Sequence, residues 1–256
     1  MKNDMNILKS KFKEIAKKGW IKSDKIDCAT FGITFEKLIG IPTNGFEIPD
    51  FGSIEIKTKC KSKYKYISLF NCVPTGPYYH EVERIRDLFG YPDPKLKEYK
   101  IFNGDIFCNK IRKIGNQFYF KLNIYRSKKK ITLRVYDKQK NIIEESAYWD
   151  FDILKEKFIR KLTYLALVSV DKKTINGLTL FKYNTLNFYK SKDFSTFINL
   201  LENGFIKVTF KLGIFRNGKR FGKIHDRGVS FSIEEQNVNK LFDYIEQYWG
   251  LWPRSI

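Results

Sequence analysis

An almost continuous apolar run from residue 164 to residue 170 constrains the fold more than any other feature of the sequence. A strand with such a sequence is typical of the middle of a sheet, where both faces are covered. The run is far shorter than the roughly 20 apolar residues that cross a membrane, and no other segment approaches that length. The sequence therefore predicts an α/β (α+β) chain with a mixed sheet flanked by helices.

The patterns on either side of this run supply the other elements. Helices are predicted at 1–18, 31–39, 151–162, 194–202 and 238–249, and strands at 53–59, 117–125, 131–137, 178–183, 205–215 and 229–233. Gly19 suits the left-handed cap of the first helix, and Asn217-Gly218 is typical of a hairpin turn. The character of the sequence changes near Gly177, which predicts two lobes, residues 1–175 and 176–256.

The formal net charge of +20 favours a polyanionic partner, and nucleic acid is the first candidate. The alternative is that lysine is simply the preferred surface residue of the source organism. Because 43% of the residues are hydrophobic and 16% are aromatic, the chain is expected to be folded and not a disordered basic tail.

The four cysteines show no zinc-type pairs, and the first residues lack the unbroken apolar stretch of a signal peptide. Both observations favour a reducing, intracellular compartment. No membrane association is expected.

The segment from Pro49 to Lys57 carries the strongest chemical signal. Asp50 lies at a turn, and Glu55 and Lys57 then lie on the same face of a strand because side chains alternate along it. Two carboxylates are the ligands that Mg²⁺ prefers, together with water and substrate phosphate. A neighbouring lysine can orient the attacking water or offset the charge on the phosphorus oxygens. This set suits the hydrolysis of a phosphodiester.

Glu36 is a further candidate ligand, since it lies beside the apolar stripe of the helix at 31–39 and is free to reach a metal from the side. The alternative interpretation is that Glu55 and Lys57 only form the solvent face of an amphipathic strand. A pattern of this kind also arises by chance in lysine-rich chains.

Several segments of the chain are similar to known nucleases. Residues 32–36, 49–51 and 54–58 resemble the catalytic block shared by the MutH mismatch-repair nickase and the MvaI/BcnI restriction endonucleases. Residues 135–139, 148–151 and 222–228 resemble the MvaI branch, and the order, spacing and total length agree.

The resemblance implies a PD-(D/E)XK restriction-endonuclease-like fold with a DNA cleft between a catalytic lobe and a recognition lobe. It implies Mg²⁺ dependence, with Glu36, Asp50, Glu55 and Lys57 as the catalytic set and the three acids as metal ligands. It further implies a monomer that cuts both strands of double-stranded DNA at a short pseudopalindrome of the CC-x-GG kind. A cognate DNA methyltransferase would protect that site, without forming a stable complex.

Two other functions stay open at this point. A MutH-like nickase would cut one strand on instruction from a mismatch-repair partner. A non-catalytic DNA- or RNA-binding protein would have retained the fold and lost the chemistry.

A basic cluster near the C-terminal end is predicted to read DNA. Its members are Arg216, Lys219, Arg220, Lys223, His225, Asp226 and Arg227, and His80 is a further candidate from the other lobe. Basic side chains grip phosphates, Arg and His donate to guanine, and Asp accepts from cytosine N4. In relatives a second His often stands in the position of Arg227, which puts the preference at the central base in doubt. The alternative interpretation is a solvated basic loop.

Overall fold

The computed structural model of the chain describes residues 1–23, 30–41, 48–60 and 65–250. The helices are α1 (Lys2–Lys17), α2 (Thr30–Ile39), α3 (Glu81–Phe89), α4 (Phe151–Leu162), α5 (Phe194–Glu202) and α6 (Val238–Leu241). The strands are β1 (Ile21–Lys22), β2 (Ile54–Cys60), β3 (Tyr66–Asn71), β4 (Tyr91–Pro92), β5 (Lys100–Ile106), β6 (Arg112–Ile114), β7 (Phe118–Tyr125), β8 (Lys130–Tyr136), β9 (Ile142–Glu144), β10 (Tyr148–Asp150), β11 (Tyr164–Ile175), β12 (Leu178–Ser191), β13 (Ile206–Ile214), β14 (Ile224–Glu234) and β15 (Phe242–Trp249). Among the described helices, none is long and apolar enough to cross a membrane. The predicted mixed α+β class is confirmed.

The strands form three five-stranded sheets. The first sheet has the order β1-β12-β11-β2, with β15 paired to β12. Strand β11 pairs antiparallel with β12 and parallel with β2, from Tyr164 opposite Ile54 to Val170 opposite Cys60. The apolar run at 164–170 is therefore a central strand, as its composition predicts, because it has a neighbour on each edge.

The chain folds into two compact units, and each is built from separate segments. The first unit comprises Met1–Ile67, Phe158–Lys192 and Val238–Ile256, and the second comprises Ser68–Lys157 and Asp193–Asn237. This division differs from the contiguous boundary predicted between residues 175 and 176. That point lies in the tight turn between β11 and β12, where Ile175 pairs with Leu178, so it divides one hairpin and not two bodies.

The first unit packs two amphipathic helices on its sheet. Helix α1 buries Leu8 and Phe12 on one face, as the helical spacing predicts, and Gly19 follows its end with φ +66°. The ring of Phe12 contacts Phe35 of α2 at 6.3 Å, and Phe35 contacts Tyr183 of β12 at 5.1 Å. Helix α2 is thereby fixed over the sheet, beside β2.

The second unit contains two sheets, with the strand orders β10-β8-β7-β6 and β3-β14-β13-β5-β4; in the first of them β9 pairs with β8. Trp149 is fully buried between the rings of Phe210 and Phe231, at 6.3 and 5.9 Å. Its indole Nε1 donates to the carbonyl of Cys72 at 2.9 Å, so the polar atom of this large side chain is satisfied inside the core.

Two predictions about elements need correction, and a third is confirmed with a change in its turn. The helix predicted at 238–249 is wrong beyond Leu241, because residues 242–249 form β15 and pair with β12. The strand predicted at 178–183 continues to Ser191, since β12 pairs along its length with β11. The hairpin predicted at Asn217-Gly218 is confirmed by the pairing of β13 with β14, but its connection contains a 3-10 turn at Gly218–Arg220.

We predict that the packing of α1 stabilises the first unit strongly. Phe12→Ala should lower the free energy of unfolding by about 3–5 kcal/mol, because it removes a fully buried aromatic side chain and leaves a cavity. Urea unfolding followed by circular dichroism measures the loss. Ile7→Ala on the same helix is the matched control, since Ile7 is 41% exposed and its change should stay within about 0.5 kcal/mol. Equal effects of the two substitutions would contradict this account.

Candidate active site

A tight turn carries Asp50 to the start of β2. The backbone groups of Phe51 and Ile54 bond to each other in both directions at 2.9 Å, and Gly52 takes φ +58° between them. Only a residue without a side chain adopts this conformation freely. The turn folds the Asp50 carboxylate back along the strand, where its Oδ2 accepts from the backbone N–H of Ile56 at 2.9 Å. Asp50 is thus fixed beside the residue that separates Glu55 from Lys57.

A second carboxylate holds the same turn from α1. Asp4 accepts from the hydroxyl of Ser53 at 2.9 Å and from its backbone N–H at 3.2 Å. A Cβ on Gly52 would come within 2.7 Å of Asp4, so this approach also requires glycine. Both bonds lower the pKa of Asp4, the hydroxyl bond more than the backbone bond. Helix α1 therefore positions the loop that carries Asp50, a contact that the sequence analysis missed.

Glu55 is a buried charge and not part of a solvated strand face. Its residue is 1% exposed, although it lies on β2, the last strand in the path of the first sheet. Oε1 of Glu55 accepts from Nζ of Lys57 at 2.5 Å, and Oε2 accepts from Nζ of Lys161 at 3.4 Å. The interpretation of Glu55 as the exposed side of an amphipathic strand is therefore wrong. Both of its oxygens face ammonium groups.

Helix α2 brings Glu36 to this pair. Gly32 lets the helix approach β2 closely, because a Cβ there would lie 3.0 Å from the hydroxyl of Thr58. Glu36 follows four residues later and so lies on the same face of the helix. The small residue at position 32 thus determines how near the acid at position 36 comes to the strand.

The pKa shifts indicate that the charges of these side chains act on one another. Burial raises the pKa of Glu36, and the charges of Asp50 and Glu55 raise it further. Burial also raises the pKa of Glu55, while Lys57 opposes this shift. For Lys57, burial alone would lower the pKa, but Glu55 and Asp50 outweigh it and the pKa lies above its ordinary value. Lys161 contributes to the field of both glutamates.

The structure therefore brings together all four residues of the predicted catalytic set and adds Lys161. Three carboxylates and two ammonium groups in one partly buried region can attract a cation, orient a water molecule and stabilise charge on a phosphate. Among the residues that the structure describes, no three or more His, Cys, Asp or Glu side chains are arranged closely enough to form a metal-binding group.

The predicted DNA-reading residues lie in the second unit, and one of them is engaged within the protein. The guanidinium of Arg216 donates to the buried carboxylate of Asp93 at 2.7 Å, and this bond lowers the pKa of Asp93. Asp93 also accepts from the backbone N–H groups of Lys95 and Leu96. Arg216 thus fixes the end of β13 to the segment that follows β4.

The neighbouring basic residues form an exposed turn. Lys219, Arg220 and Lys223 are exposed in the connection between β13 and β14. The guanidinium of Arg220 lies 5.3 Å from the ring centre of Phe215, and the imidazole of His225 stacks on the same ring, with the two ring centres 4.1 Å apart and the planes at 16°. Phe215 therefore orients two of the predicted DNA-reading side chains.

The consecutive residues His225, Asp226 and Arg227 do not act as one group. His225 and Arg227 line a cavity of about 290 Å³ together with Asp93 and Arg216. Asp226 lines a different cavity, of about 320 Å³, in which His80 also takes part. Strand alternation explains the separation, because neighbouring residues of β14 face opposite sides.

Asp226 is turned toward its own backbone. Its Oδ1 accepts from the N–H of Gly228 at 2.6 Å, and Gly228 takes φ +81°. On the facing loop His80 is in a left-handed conformation with φ +63°, next to Tyr79, whose side chain is 91% exposed. One carboxylate oxygen of Asp226 and the His80 and Tyr79 rings are therefore presented together on this side of the sheet.

The comparison with known families matches the chain over residues 9–242 to the model of the MvaI/BcnI restriction endonuclease family. The chain belongs to the MvaI/BcnI restriction endonuclease family. The resemblance carried by residues 32–58 and by the later segments is thereby confirmed.

Two solved structures of a relative support the family assignment. A restriction endonuclease MvaI–cognate DNA substrate complex is 29% identical, with a TM-score of 0.89 over 98% of this chain and 100% of that chain. Restriction endonuclease MvaI in the absence of DNA is 30% identical, with a TM-score of 0.59 over 96% and 98%. No curated protein matches the chain. Membership of the MvaI/BcnI family makes the chain a type II restriction endonuclease that acts on DNA.

Lys161 is a further residue of the candidate active site that sequence analysis missed. It is 106 positions from Glu55 and reaches it only because β11, which follows α4, pairs parallel with β2. The only hint in the sequence was that this lysine lies just before the predicted central strand. Its position adds a second positive charge at the buried carboxylate.

We predict that Lys161→Ala lowers the rate of DNA cleavage by about 10-fold or more, equivalent to about 1.4 kcal/mol, because Glu55 loses one of its two cationic partners. Single-turnover cleavage of plasmid DNA measures the rate. Lys155→Ala is the matched control, since Lys155 is an exposed lysine on the same helix. Wild-type cleavage by the Lys161 variant would show that this contact has no part in the reaction.

Proposed function

We propose that the protein is a Mg²⁺-dependent type II endonuclease of the PD-(D/E)XK type, which hydrolyses both strands of double-stranded DNA at a short specific site. The observation that carries the proposal is the buried Glu55 carboxylate between two ammonium groups, with Asp50 fixed to the adjacent backbone. A buried ion pair of this kind contributes little to stability, so a chemical role best accounts for it.

The donor set fits a hard divalent cation. Mg²⁺ takes one or two protein carboxylates and keeps several waters, so Asp50 and Glu55 suffice and Glu36 adds a nearby negative charge. The raised pKa values of Glu36 and Glu55 also favour a bound cation. Burial and the repulsion between neighbouring acids destabilise the charged carboxylates, and a positive charge beside them would relieve this. When bound, the cation would supply an activated water molecule and stabilise the leaving oxygen.

The remaining roles belong to the side chains themselves. Glu55 and Asp50 hold negative charge in a fixed place, because the contacts of β2 and the turn leave them little freedom. Lys57 carries its ammonium beside Glu55, where it can orient a water molecule and stabilise charge that develops on a phosphate oxygen. Glu36, with its raised pKa, is suited to hold or accept a proton.

Recognition of DNA is assigned to the second unit, with the site of the CC-x-GG kind that the family resemblance implies. Lys219, Arg220 and Lys223 are exposed and suited to phosphates, while His225, Asp226 and Arg227 are suited to base edges. Arg216 acts by fixing the strand through Asp93, and His80 faces DNA from the loop before α3. The solved MvaI complex with cognate DNA supports double-stranded DNA as the substrate.

The cellular setting follows from this activity. A monomer working in the cytoplasm of a bacterial or archaeal cell would cut foreign DNA one strand at a time. A cognate methyltransferase would protect the same site in the host, without a stable complex between the two enzymes.

Two other functions are less well supported. A MutH-like nickase would also suit the catalytic set, but the family match is to restriction endonucleases. A non-catalytic DNA-binding protein would have no use for Glu55, whose burial raises its pKa and therefore disfavours its charged form. Linear product from a supercoiled plasmid, without an accessory protein, distinguishes the first proposal from both alternatives.

We predict that Asp50→Ala, Glu55→Ala and Lys57→Ala each reduce cleavage by at least about 10³-fold, a loss of roughly 4 kcal/mol of transition-state stabilisation. Specific binding should survive, because these side chains serve the reaction and removing an acid also removes repulsion against the phosphate. Plasmid cleavage and gel shifts, run side by side, measure the two effects.

Glu14→Ala is the matched control for the acids, since Glu14 is an exposed carboxylate of the first unit. It should cleave at the wild-type rate. Near wild-type cleavage by the Glu55 or Lys57 variant would overturn the catalytic assignment.

We predict that protons compete with Mg²⁺ for the carboxylates of this site even at pH values above the ordinary pKa of glutamate. The pKa values of Glu36 and Glu55 are raised, so each acid becomes neutral while the pH is still above that range. Below the raised pKa, Mg²⁺ affinity should fall about 10-fold per pH unit for each proton that must leave. Calorimetric titration of the DNA-free protein with Mg²⁺ at several pH values measures it. Glu36→Gln should remove part of the dependence, and constant affinity down to the ordinary glutamate pKa would contradict the prediction.

A further inference from the structure

The outer face of the sheet β10-β8-β7-β6 has no role in the function described so far. Phe120 of β7 is fully buried, and its ring contacts Phe102 of β5 at 5.1 Å, so one face of this sheet packs on the other sheet of the second unit. Side chains alternate along a strand, and Tyr119, Lys121 and Tyr125 therefore lie on the opposite face. All three are partly exposed. The sheet thus presents tyrosines and lysines on its outer side.

Ammonium groups lie over tyrosine rings on this outer face. Nζ of Lys140 lies over the ring of Tyr119. Nζ of Lys128 lies 5.5 Å from the ring centre of Tyr125, and Lys130 lies opposite that tyrosine on β8. Such cation–π contacts give the lysines preferred positions near solvent. We call this surface the Tyr–Lys face and define it by Tyr119, Lys121, Tyr125, Lys128, Lys130 and Lys140.

The turns that carry these lysines have an uncommon backbone conformation. Lys140 takes φ +69° in the turn between β8 and β9, and Lys129 takes φ +49° in the turn between β7 and β8. Asp137 closes the first of these turns, since its Oδ1 accepts from the backbone N–H of Asn141 at 2.8 Å. Residues other than glycine rarely adopt such a conformation, and strained positions of this kind cluster at functional sites.

Positive charge on the Tyr–Lys face exceeds negative charge. Glu145 lies on the same side of the sheet, but its charge is matched by Arg134, whose Nε donates to it at 2.8 Å. Asp150 approaches Nζ of Lys130 at 3.9 Å. In the part of the chain that the structure describes, no ion pair is formed by Lys121, Lys128 or Lys140. The face is therefore complementary to a polyanion.

The Tyr–Lys face is separated from the residues proposed to read DNA. Those residues lie on β14 and on the connection between β13 and β14, which belong to the other sheet of the second unit. The rings of Phe120 and Phe102 lie between the two sheets, and packed sheets are about 10 Å apart. A duplex bound by one sheet is therefore separated from the Tyr–Lys face by the thickness of the core.

We propose that the Tyr–Lys face binds the phosphate backbone of a second DNA duplex while the first duplex occupies the recognition residues. The second duplex is another DNA molecule or a distant segment of the same one. This inference goes beyond the proposed cleavage, because it assigns a DNA contact outside the cleaved site. By holding two segments at once, the protein would pass from one to the other without first being released.

Double-stranded DNA fits the Tyr–Lys face better than a single strand does. Proteins that bind single strands stack the bases on open aromatic rings, whereas here ammonium groups cover the rings of Tyr119 and Tyr125. These two tyrosines lie at opposite ends of β7, roughly 20 Å apart at about 3.3 Å per residue. That distance exceeds the major-groove width of about 12 Å, so lysines at the two ends can contact the phosphates on both sides of a groove.

The test counts the duplexes that one chain binds. The full chain is mixed with an excess of a fluorescent duplex of roughly 20 base pairs, at low salt and in EDTA, and sedimentation velocity gives the mass of each complex. Wild type should form a complex of one chain with two duplexes. In the triple variant Lys121→Gln/Lys128→Gln/Lys140→Gln, affinity for the second duplex should fall by about 10-fold or more. The salt dependence of that second step should also become shallower, by about 0.9 in log–log slope for each lost phosphate contact.

The triple variant Lys17→Gln/Lys18→Gln/Lys155→Gln is the matched control, since it removes the same charge from exposed positions outside the Tyr–Lys face. It should still bind two duplexes. Urea unfolding establishes that both variants are folded, and Lys128→Gln alone, at an exposed turn position, takes the place of the first variant if that one unfolds.

Four results would overturn the proposal. They are a single duplex on each wild-type chain, two duplexes bound with unchanged affinity by the Tyr–Lys variant, equal losses in the control variant, and a complex that contains two chains. Equal loss of the first and second duplexes would place these lysines in the primary DNA site and would overturn it as well. Because no cleavage takes place in EDTA, a failure of the proposed hydrolysis would leave this count unchanged, so the two failures are distinguishable.

Discussion

The ion pair between Glu55 and Lys57 is the interaction on which the candidate active site depends. A carboxylate removed from water is unfavourable unless a cation lies beside it, and here two ammonium groups do so. Each comes from a different part of the chain: Lys57 from the same strand, and Lys161 from the helix before β11. The parallel pairing of β2 with β11 is what brings the second lysine to the acid. Fold and site are therefore linked through one electrostatic requirement.

This arrangement is unfavourable for stability. The pKa of Glu55 stays above its ordinary value despite both lysines, so burial outweighs their attraction. A side chain of similar size without charge would fit the same space at less cost. Asp50 is held differently, by one backbone N–H and by a turn that Asp4 secures from outside. The two acids are thus placed by independent contacts, which gives a site of fixed geometry.

How much could be predicted from the sequence varied with the range of the interactions. Phe12 and its helix were predictable because the spacing of apolar residues is local, and the E-x-K motif at 55–57 was predictable because strand alternation is local too. Lys161 was not, since no pattern connects it to Glu55. The segment 242–249 shows why local patterns can fail: Val238, Leu241, Phe242 and Ile245 have helical spacing, but pairing with β12 forms a strand instead. Helix α3 was overlooked although Val82, Ile85, Arg86 and Phe89 carry the usual spacing.

Because the two compact units are interleaved in sequence, their segments are synthesised in a defined order. All segments of the second unit precede Val238, whereas β15 of the first unit follows it. Domains fold as their segments emerge during synthesis. The unit with the basic β13–β14 turn can therefore close while the sheet that carries Glu55 still lacks its last strand. The strand that is still missing at that stage is the partner of β12, so the first unit is the last to complete its sheet.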